Sequence, residues 1–401
     1  MADTRALEQG TSMSRRATLR RWGTLIVTSA ILASCQVVPK GPPKTVDAPP
    51  PVEATPPSAT PLPTDLARHR IALLVPMTGA SAAIGESIAN AANLAVLDTG
   101  GKNIRITTYD TGTGAAAAAQ RAIADGNRLI IGPLLAEDVR AVAPIGRAAK
   151  VPLISFSNDI SVAGNGTYLL GFVPTQSIDR IVSFARSKGM TSFAGLIPNG
   201  TFGQRTSQAM IKAVEANGGR MVGLQSFDRS PGSIAAAVTK LSASSAYDAL
   251  LIADSGRVAL QIVPLVRKRG GATAKILGTD LWNVEGSLAQ SPVMQGAWFA
   301  SVSDSFYNQL ATKYRARFAK GPYRLASLGY DSVLLVNKIA GAWRVGTNFP
   351  TAQLLDSGGF SGIDGAFRFT SSGIAERMLE VQEIKTGGFT IVSPAPRVFG
   401  K

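Results

Sequence analysis

The sequence of 401 residues contains one cysteine and one histidine. A single cysteine excludes a framework of intrachain disulfides, and together with a single histidine it excludes the usual zinc sites. The lone histidine, His69, also leaves most Ser-His-Asp and Cys-His catalytic schemes without a base. Because His69 adjoins a Pro-rich stretch, we expect it to be solvated. The composition therefore favours a binding or scaffolding protein over an enzyme.

Long apolar runs are also missing beyond the first forty residues, where no stretch reaches 18 consecutive apolar residues. This excludes a membrane protein with several transmembrane helices. Hydrophobic residues make up 45% of the sequence, which is normal for a globular protein. A length of 401 residues predicts two domain-sized lobes.

Residues 1–35 have the pattern of an export signal. Basic residues at 15, 16, 20 and 21 precede an apolar segment at 22–32, which is too short to span a bilayer. Small residues then lead to Cys35, and this pattern resembles a bacterial lipobox, in which the cysteine is acylated. Cys35 is therefore the predicted lipidation site and membrane anchor, and an ordinary signal peptide with a chance cysteine is the alternative.

Two further features concern the route and the destination of export. Gln36, rather than Asp, follows the cysteine, and by resemblance to bacterial sorting rules this favours the outer membrane, with the protein facing the periplasm. Residues 14–20 resemble a twin-arginine signal, although Thr18 stands where that signal has Phe. A generic basic segment is the alternative, so the export route stays open.

Residues 36–67 are expected to form an extended tether. Ten of the 31 residues from 36 to 66 are proline, which cannot join a strand ladder. At ~3.1 Å per residue, this segment reaches at most roughly 95 Å. Such a reach would hold a folded domain well clear of a membrane surface.

The positive charge does not indicate a nucleic-acid protein. The formal net charge is +15, and the part after residue 35 keeps +12, because the signal segment carries five basic and two acidic residues. The one basic triplet after the signal, residues 267–269, falls where a helix is expected to end, which suits the helix dipole. No interleaving of aromatic and basic residues marks a base-stacking surface. For an exported protein, the charge favours an acidic protein or an anionic polymer of the envelope as partner, and a solvated basic surface with no specific partner is the alternative.

From residue 68 onward, short apolar runs alternate with segments of helical periodicity. Repeated β-α units of this kind predict an α/β fold with two doubly wound, Rossmann-like lobes and a cleft between them. A break near residue 174 and a change of pattern after 302 set the expected boundaries. Residues 68–174 and 303–357 are assigned to the first lobe, and residues 175–302 and 358–401 to the second.

An ordered series of short motifs resembles the type I periplasmic binding proteins. The series covers nearly all of residues 68–401, and its members are Pro76-Met77-Thr78-Gly79 with Gly85, Tyr109-Asp110, Ile131-Gly132-Pro133, residues 151–155, Ile197-Pro198-Asn199 and Phe202-Gly203. Within that superfamily, residues 276–283, 325–331 and 360–365 resemble the penicillin-binding-protein activator lipoproteins. The best-known activators carry an additional N-terminal domain of helical repeats, whereas this sequence has the tether at that place.

The resemblance implies a non-enzymatic, outer-membrane-anchored lipoprotein that binds and regulates a peptidoglycan synthase. The alternative is a lipid-anchored solute-binding protein of an ABC transporter, with a small polar ligand in the cleft. A hydrolase or transferase using the strand-end carboxylates Asp110, Asp254 and Asp280 is the third hypothesis. The sequence does not identify the partner or any ligand, and it leaves the oligomeric state open.

The candidate ligand-binding residues follow strand ends, where free backbone N–H groups and helix N-termini face a cleft in this fold. They are Thr78, Gly79, Ser81, Ser155, Ser157, Phe202, Asp280 and Trp282. Helix caps and turns are the alternative role for the hydroxyl residues. Residues 155–159 do not reproduce the pattern of amino-acid binders in the superfamily.

No cofactor or metal site is predicted. Residues 112–117 match GxGxxA, but the strand that follows does not end in an acidic residue for a ribose, so we interpret the glycines as turn residues. The sequence contains no GxSxG and no SxxK, and the absence of SxxK excludes a penicillin-binding protein itself.

Overall fold

The computed structural model describes residues 67–271 and 273–399. All of them belong to the compact unit Pro63–Lys401. The predicted signal segment, Cys35 and residues 36–66 of the predicted tether lie outside the described residues. None of the helices described is long and apolar enough to cross a membrane.

The first lobe contains a five-stranded parallel sheet. Its strands are β1 (His69–Val75), β2 (Ile104–Asp110), β3 (Leu129–Ile131), β4 (Leu153–Ser155) and β5 (Thr167–Leu169), in the order β2-β1-β3-β4-β5. The crossovers contain α1 (Ala82–Asp98), α2 (Ala115–Ala124) and α3 (Ala136–Ala148). From β1 to β4, each helix returns the chain to the end of the sheet at which the strands begin, so the strands run parallel.

The second lobe begins with α4 (Pro174–Ser187) and repeats the β-α alternation. Its elements are β6 (Ser192–Pro198), α5 (Thr201–Ala216), β7 (Arg220–Phe227), α6 (Pro231–Ser242), β8 (Ala249–Ile252), α7 (Gly256–Lys268), β9 (Lys275–Gly278) and β10 (Trp298–Ser301). The chain then forms α8 (Ser305–Phe318) and α9 (Ala326–Ala340). The basic triplet at 267–269 does fall at the end of a helix, α7, as predicted.

Five short strands complete the chain. They are β11 (Phe360–Gly362), β12 (Gly365–Phe369), β13 (Ala375–Arg377), β14 (Glu380–Lys385) and β15 (Gly388–Ser393). The first three form a small antiparallel sheet. The last two extend the second lobe into a seven-stranded sheet of order β15-β14-β10-β9-β8-β6-β7, in which β14 pairs antiparallel with β10.

The central strands are apolar throughout because helices cover both faces of each sheet. In β1, Ile71 and Leu73 pack into one hydrophobic cluster, while Ala72 and Leu74 pack into another on the opposite face. All four are fully buried. The predicted α/β fold class with two doubly wound lobes is confirmed.

The C-terminal boundary differs from the expected one. Residues 358–401 were assigned together to the second lobe, but Phe360, Phe367 and Phe369 are buried in the core of the first lobe. Only β14 and β15 join the second sheet. The apolar alternation in β11 and β12 is typical of any half-buried hairpin, so it does not reveal which core the hairpin covers.

A glycine occupies the same place in the helix that follows the first strand of each lobe. A Cβ added at Gly85 in α1 would lie 1.8 Å from the carbonyl oxygen of Pro76, and one at Gly203 in α5 would lie 1.6 Å from that of Pro198. Both contacts are far inside van der Waals distance. These glycines therefore let each helix pack directly against the end of the preceding strand.

We predict that Gly203→Ala destabilises the protein by about 1–3 kcal/mol, because the added methyl group overpacks the turn against backbone that cannot retreat. Urea unfolding followed by circular dichroism measures this. Gly232→Ala in α6 is the matched control, since its Cβ would meet no atom within 4 Å. The control should be neutral or slightly stabilising, and an equal loss in both variants would contradict the packing argument.

Candidate functional site

The carboxyl ends of the strands in both lobes face a common cleft. Residues that follow β1, β3 and β4 line it from the first lobe, and residues that follow β6, β9 and β10 line it from the second. The cavity has a volume of about 440 Å³. Ligand sites of open α/β sheets lie at such strand ends, so this cleft is the candidate site.

Most of the lining is apolar. The apolar side chains are Ile84, Leu134, Leu135, Phe156, Phe172, Pro174, Phe202, Leu281, Val284, Val302 and Leu325. The polar ones are Ser81, Asn158, Asp280, Asn283, Ser301 and Arg324. This lining does not suit the small polar ligand of the alternative hypothesis, because it offers few polar groups to bind one.

Three of the eight candidate residues line this cavity, namely Ser81, Phe202 and Asp280. Asp280 accepts a hydrogen bond of 2.6 Å from the hydroxyl of Ser177 in α4. Burial raises the pKa of Asp280, and the Ser177 bond and the charge of Arg324 oppose that rise only in part. Asp280 is therefore a carboxyl group surrounded mainly by apolar side chains of the cleft.

The candidates near β1 form a turn. The hydroxyl of Thr78 donates to Asp110 Oδ2 at 2.7 Å, and the same carboxylate accepts the backbone N–H groups of Met77 and Gly112. Gly79 has a φ of +80°, a conformation that favours glycine. Burial would raise the pKa of Asp110, but these hydrogen bonds outweigh it and lower the pKa. This carboxylate therefore stabilises the β1 and β2 turns, and it does not line the cleft.

The candidate serines at the end of β4 are bonded to backbone groups of their own loop and of the segment after β3. The Ser155 hydroxyl donates to the Pro133 carbonyl at 2.8 Å and accepts the N–H of Ser157. The Ser157 hydroxyl accepts the N–H of Asp159 at 3.1 Å. Both residues are buried, and Ser157 lines a second cavity beside the first.

Trp282 is a core residue. Its side chain is fully buried in the second lobe, and its indole N–H donates to the carbonyl of Asp254 at 3.0 Å. A Cβ at Gly278 would lie 2.2 Å from the indole ring, so glycine at that position makes room for it. The exposed neighbour Leu281 lines the cleft instead.

The lone histidine is buried rather than solvated. His69 is 4% exposed, and its ring stacks on Trp343 with centroids 3.8 Å apart. Burial lowers the pKa of His69, although hydrogen bonds to backbone groups of residues 340 and 343 partly offset this. The expectation of a solvated residue was wrong because residues after α9, remote in sequence, cover the start of β1.

An ion pair joins the lobes beside the cleft. Asp159 of the first lobe pairs with Arg205 of α5 at 2.9 Å, and Arg140 of α3 approaches the same carboxylate at 2.9 Å. Burial alone would raise the pKa of Asp159, but hydrogen bonds from Ser161 and Arg205 and the charge of Arg205 lower it to about 2. Asp159 is therefore ionised at neutral pH, and it lines the second cavity together with Arg140 and Arg205.

A buried cluster of charges lies behind the cleft, and the sequence analysis missed it. Arg324, just before α9, lies 2.7 Å from Asp364 in the β11–β12 turn and 3.3 Å from Asp304 at the start of α8. Its guanidinium also stacks over the Tyr307 ring at 4.2 Å. Although burial lowers the pKa of Arg324, Asp364 reverses the shift and raises it.

The cluster continues from Asp364 to Asp331 and Arg377. Asp331 is completely buried and accepts the N–H of Ile363 at 2.6 Å. Burial and the nearby Asp364 raise the pKa of Asp331 to about 7. Arg377 donates to the Leu170 carbonyl at 2.6 Å. The signals in the sequence were the motifs 325–331 and 360–365, which were assigned by resemblance and not by charge.

The sequence motifs and acidic residues that could mark a metal or nucleotide site have other contacts in the described part of the chain. No group of three or more His, Cys, Asp or Glu side chains within them has the geometry to hold a metal ion. The GxGxxA glycines behave as turn residues: Gly112 donates its N–H to Asp110, and a Cβ there would lie 2.5 Å from the Thr78 carbonyl. Asp254 likewise binds the N–H of Ser255 and pairs with Arg229.

Comparison with known proteins defines the class of this fold. A family model described as "Periplasmic binding protein" matches residues 69–388. The chain belongs to the periplasmic binding protein family, with the two-lobed type I fold, and this membership indicates a periplasmic or cell-envelope location.

Individual relatives are distant. A putative branched-chain amino acid ABC transporter protein from Rhodospirillum rubrum superposes with a TM-score of 0.70 at 20% identity, covering 81% of this chain and all of the other. The uncharacterised protein RP748 of Rickettsia prowazekii is 24% identical over 174 residues, which is 43% of this chain. The match spans 47% of that relative.

LpoA of Haemophilus influenzae has the same fold at 17% identity. Its C-domain, described as a regulator of PBP1A, gives a TM-score of 0.63 and covers 80% of this chain and 99% of the domain. Full-length LpoA gives 0.64, with 81% of this chain covered but only 59% of LpoA. At these identities the likeness shows the fold alone.

We predict that Asp159→Asn destabilises the protein by about 1–2 kcal/mol at pH 7, because it weakens charge-assisted hydrogen bonds between the lobes. The lowered pKa fixes the sign of the pH effect. The contribution of Asp159 is complete above the unfolded pKa of about 4 and disappears as the pH falls through the folded value of about 2.

Urea unfolding at pH 7 and at about pH 2.5 tests this prediction. The gap between the wild type and the variant should shrink at the lower pH. Glu86→Gln removes the exposed pair with Lys320 and serves as the control, with an expected change below about 0.5 kcal/mol. A gap that persists unchanged at low pH would contradict an electrostatic role for Asp159.

Proposed function

We propose that this chain is a non-enzymatic envelope lipoprotein that binds a peptidoglycan synthase and regulates it. The observation that carries the proposal is that the polar groups at the candidate site are largely occupied by one another. Asp280, which lines the cleft, bonds to a neighbouring protein group, and so do Ser155 and Thr78, which lie at strand ends outside the lining. A cleft of this kind offers few free groups to recognise a small polar solute, which favours a role for the outer surface.

Three other polar groups of the cleft, Asn283, Ser301 and Arg324, follow the same pattern. Asn283 donates to Asp304 at 2.8 Å and its carbonyl accepts the Ser301 hydroxyl at 3.1 Å. Arg324 is shared between Asp304 and Asp364. The fold of a known synthase regulator, matched over almost its whole C-domain, supports the same conclusion.

Anchoring completes the proposal. Cys35 would carry the acyl chains, in the outer membrane, and the Pro-rich segment would give the folded part its reach. Regulation would act by a shift of population: a protein that binds one state of the synthase more tightly increases the fraction of that state. No reaction by the lipoprotein itself is needed for this.

We predict that the full-length protein, purified in mild detergent from membranes of the cell that encodes it, retains a peptidoglycan synthase. A fluorescent penicillin, which labels the active-site serine of such enzymes, identifies the partner on a gel. Addition of the lipoprotein to the purified synthase should change its rate of glycan polymerisation or cross-linking. If no labelled protein is retained at low salt and the rate is unchanged, the proposal fails.

The second candidate is a solute-binding protein of an ABC transporter, and the cleft itself favours it. A cavity of about 440 Å³ with three phenylalanines, Phe156, Phe172 and Phe202, could enclose an apolar compound. The solved structure from R. rubrum, described as a branched-chain amino acid transporter protein, has this fold. In this case the ligand would be apolar or aromatic rather than polar.

We predict that any ligand that raises the melting temperature is apolar, because the cleft has few free polar groups. A thermal-shift screen should compare uncharged aromatic and aliphatic compounds with polar amino acids and muropeptides. A ligand at 100 times its Kd adds about 2.7 kcal/mol of stability. Val284→Arg is the control: Val284 lines the cleft but is 62% exposed, so the variant should fold and lose the shift. A shift with polar ligands would contradict this prediction.

A further inference from the structure

We infer that the base of the second lobe is the docking surface for an acidic face of the proposed partner synthase. The base is the edge of the second sheet where its parallel strands begin, opposite the cleft. Its exposed cations are Lys188, Arg220, Lys240, Lys268, Arg269 and Lys385. The inference rests on the proposed function and adds the surface and the chemistry of the contact.

The topology gathers these charges at one edge. In a doubly wound sheet, each helix ends where the next parallel strand begins. Lys188 caps the end of α4, Lys240 lies in the last turn of α6, and Lys268 and Arg269 end α7. Cations at helix C-termini are stabilised by the helix dipole, so the folded state supports a concentration of positive charge at this edge.

A concave pocket in the same surface separates it from a merely solvated basic face. The pocket has a volume of about 510 Å³, and Lys188, Arg267 and Lys275 line it together with Tyr247 and Thr273. An acidic side chain or chain terminus entering it would meet cations from three elements. Burial lowers the pKa of Lys275, while the nearby Glu383 opposes the shift.

Two of the acidic residues at this edge, Asp248 and Glu383, are engaged within the protein, whereas Glu215 at the end of α5 is exposed. Asp248 accepts the N–H groups of Thr191 and Ser192 at 2.7 and 2.9 Å. Glu383 accepts the indole N–H of Trp298 at 2.6 Å and also approaches Lys275. Asp248 is exposed and lines the pocket, and Glu383 also pairs with Lys385, so these two charges offset part of the positive field at this surface.

The position of this base relative to the chain's entry supports a role in docking. The described chain enters at residues 67–68, directly before β1 and hence at the base of the first lobe. Both sheets point their carboxyl ends at the cleft, so the two bases lie on opposite sides of it. The base of the second lobe is thus the surface directed away from the tethered end.

Charge reversal at each base gives a matched test. The docking variant is Lys188→Glu with Lys268→Glu and Arg269→Glu. The control is Lys102→Glu with Arg121→Glu and Arg128→Glu, three exposed cations at the base of the first lobe. Both full-length proteins undergo the same change in net charge, so a general effect of charge on association is equal in the two. Unchanged melting temperatures verify folding.

Affinity for the purified synthase is measured at low salt and at about 0.5 M salt. We expect the docking variant to bind about tenfold more weakly at low salt, the control within about twofold of the wild type, and the difference to vanish at high salt. Equal losses in both variants, or no loss in either while the wild type binds, would overturn the docking surface but leave the proposed function. Absence of wild-type binding would instead remove the proposed function and this inference with it.

Vesicles distinguish the other anionic occupants. Binding to phosphatidylglycerol vesicles is compared with binding to phosphatidylcholine vesicles, and binding to isolated peptidoglycan is measured in parallel. If the docking variant loses these interactions but keeps its affinity for the synthase, the surface serves a lipid or a polymer and the inference is overturned. If it loses the synthase while vesicle and polymer binding match those of the control, the inference is supported.

Discussion

The rear wall of the cleft depends on a cluster of two arginines and three aspartates that lies behind it. Arg324 contacts both Asp304, at the end of the second sheet, and Asp364, in a hairpin that packs on the first core. A buried charge left without its partner costs several kcal/mol. The segments that carry Arg324, Asp364, Asp331 and Arg377 must therefore assemble together, and the rear wall of the cleft is fixed by that requirement.

The cleft is apolar because most polar groups near it are hydrogen-bonded within the protein. In a binding site built for a polar solute, several donors and acceptors remain free and point inward. Here the hydroxyls and carboxylates at the strand ends are satisfied by neighbouring turns, while Phe156, Phe172 and Phe202 face the cavity. The cleft is therefore mainly apolar, while the exposed cations of the second lobe lie at the opposite end of its sheet.

Sequence periodicity predicted the lobes well because buried parallel strands are continuous apolar runs, as in β1, and because helices intervene regularly. It placed Ser81, Phe202 and Asp280 at the cleft, since strand ends are where such residues lie. It could not separate Trp282 from Leu281, because a short helical turn decides which of the two enters the core. Nor could it pair Asp159 with Arg205 or Arg324 with Asp364, since these contacts join remote segments and leave no periodic signal.

Strands β14 and β15 lie almost at the end of the chain, yet β14 pairs with β10 inside the second sheet. The first core likewise takes in Phe360 and Phe367, nearly 300 residues after Ile71. Neither lobe is therefore continuous in the sequence. If the chain crosses a membrane unfolded and N-terminus first, neither core can be completed until the last strands emerge. Until then the incomplete sheets expose apolar surface and strand edges, which chaperones of the export pathway would have to protect from aggregation.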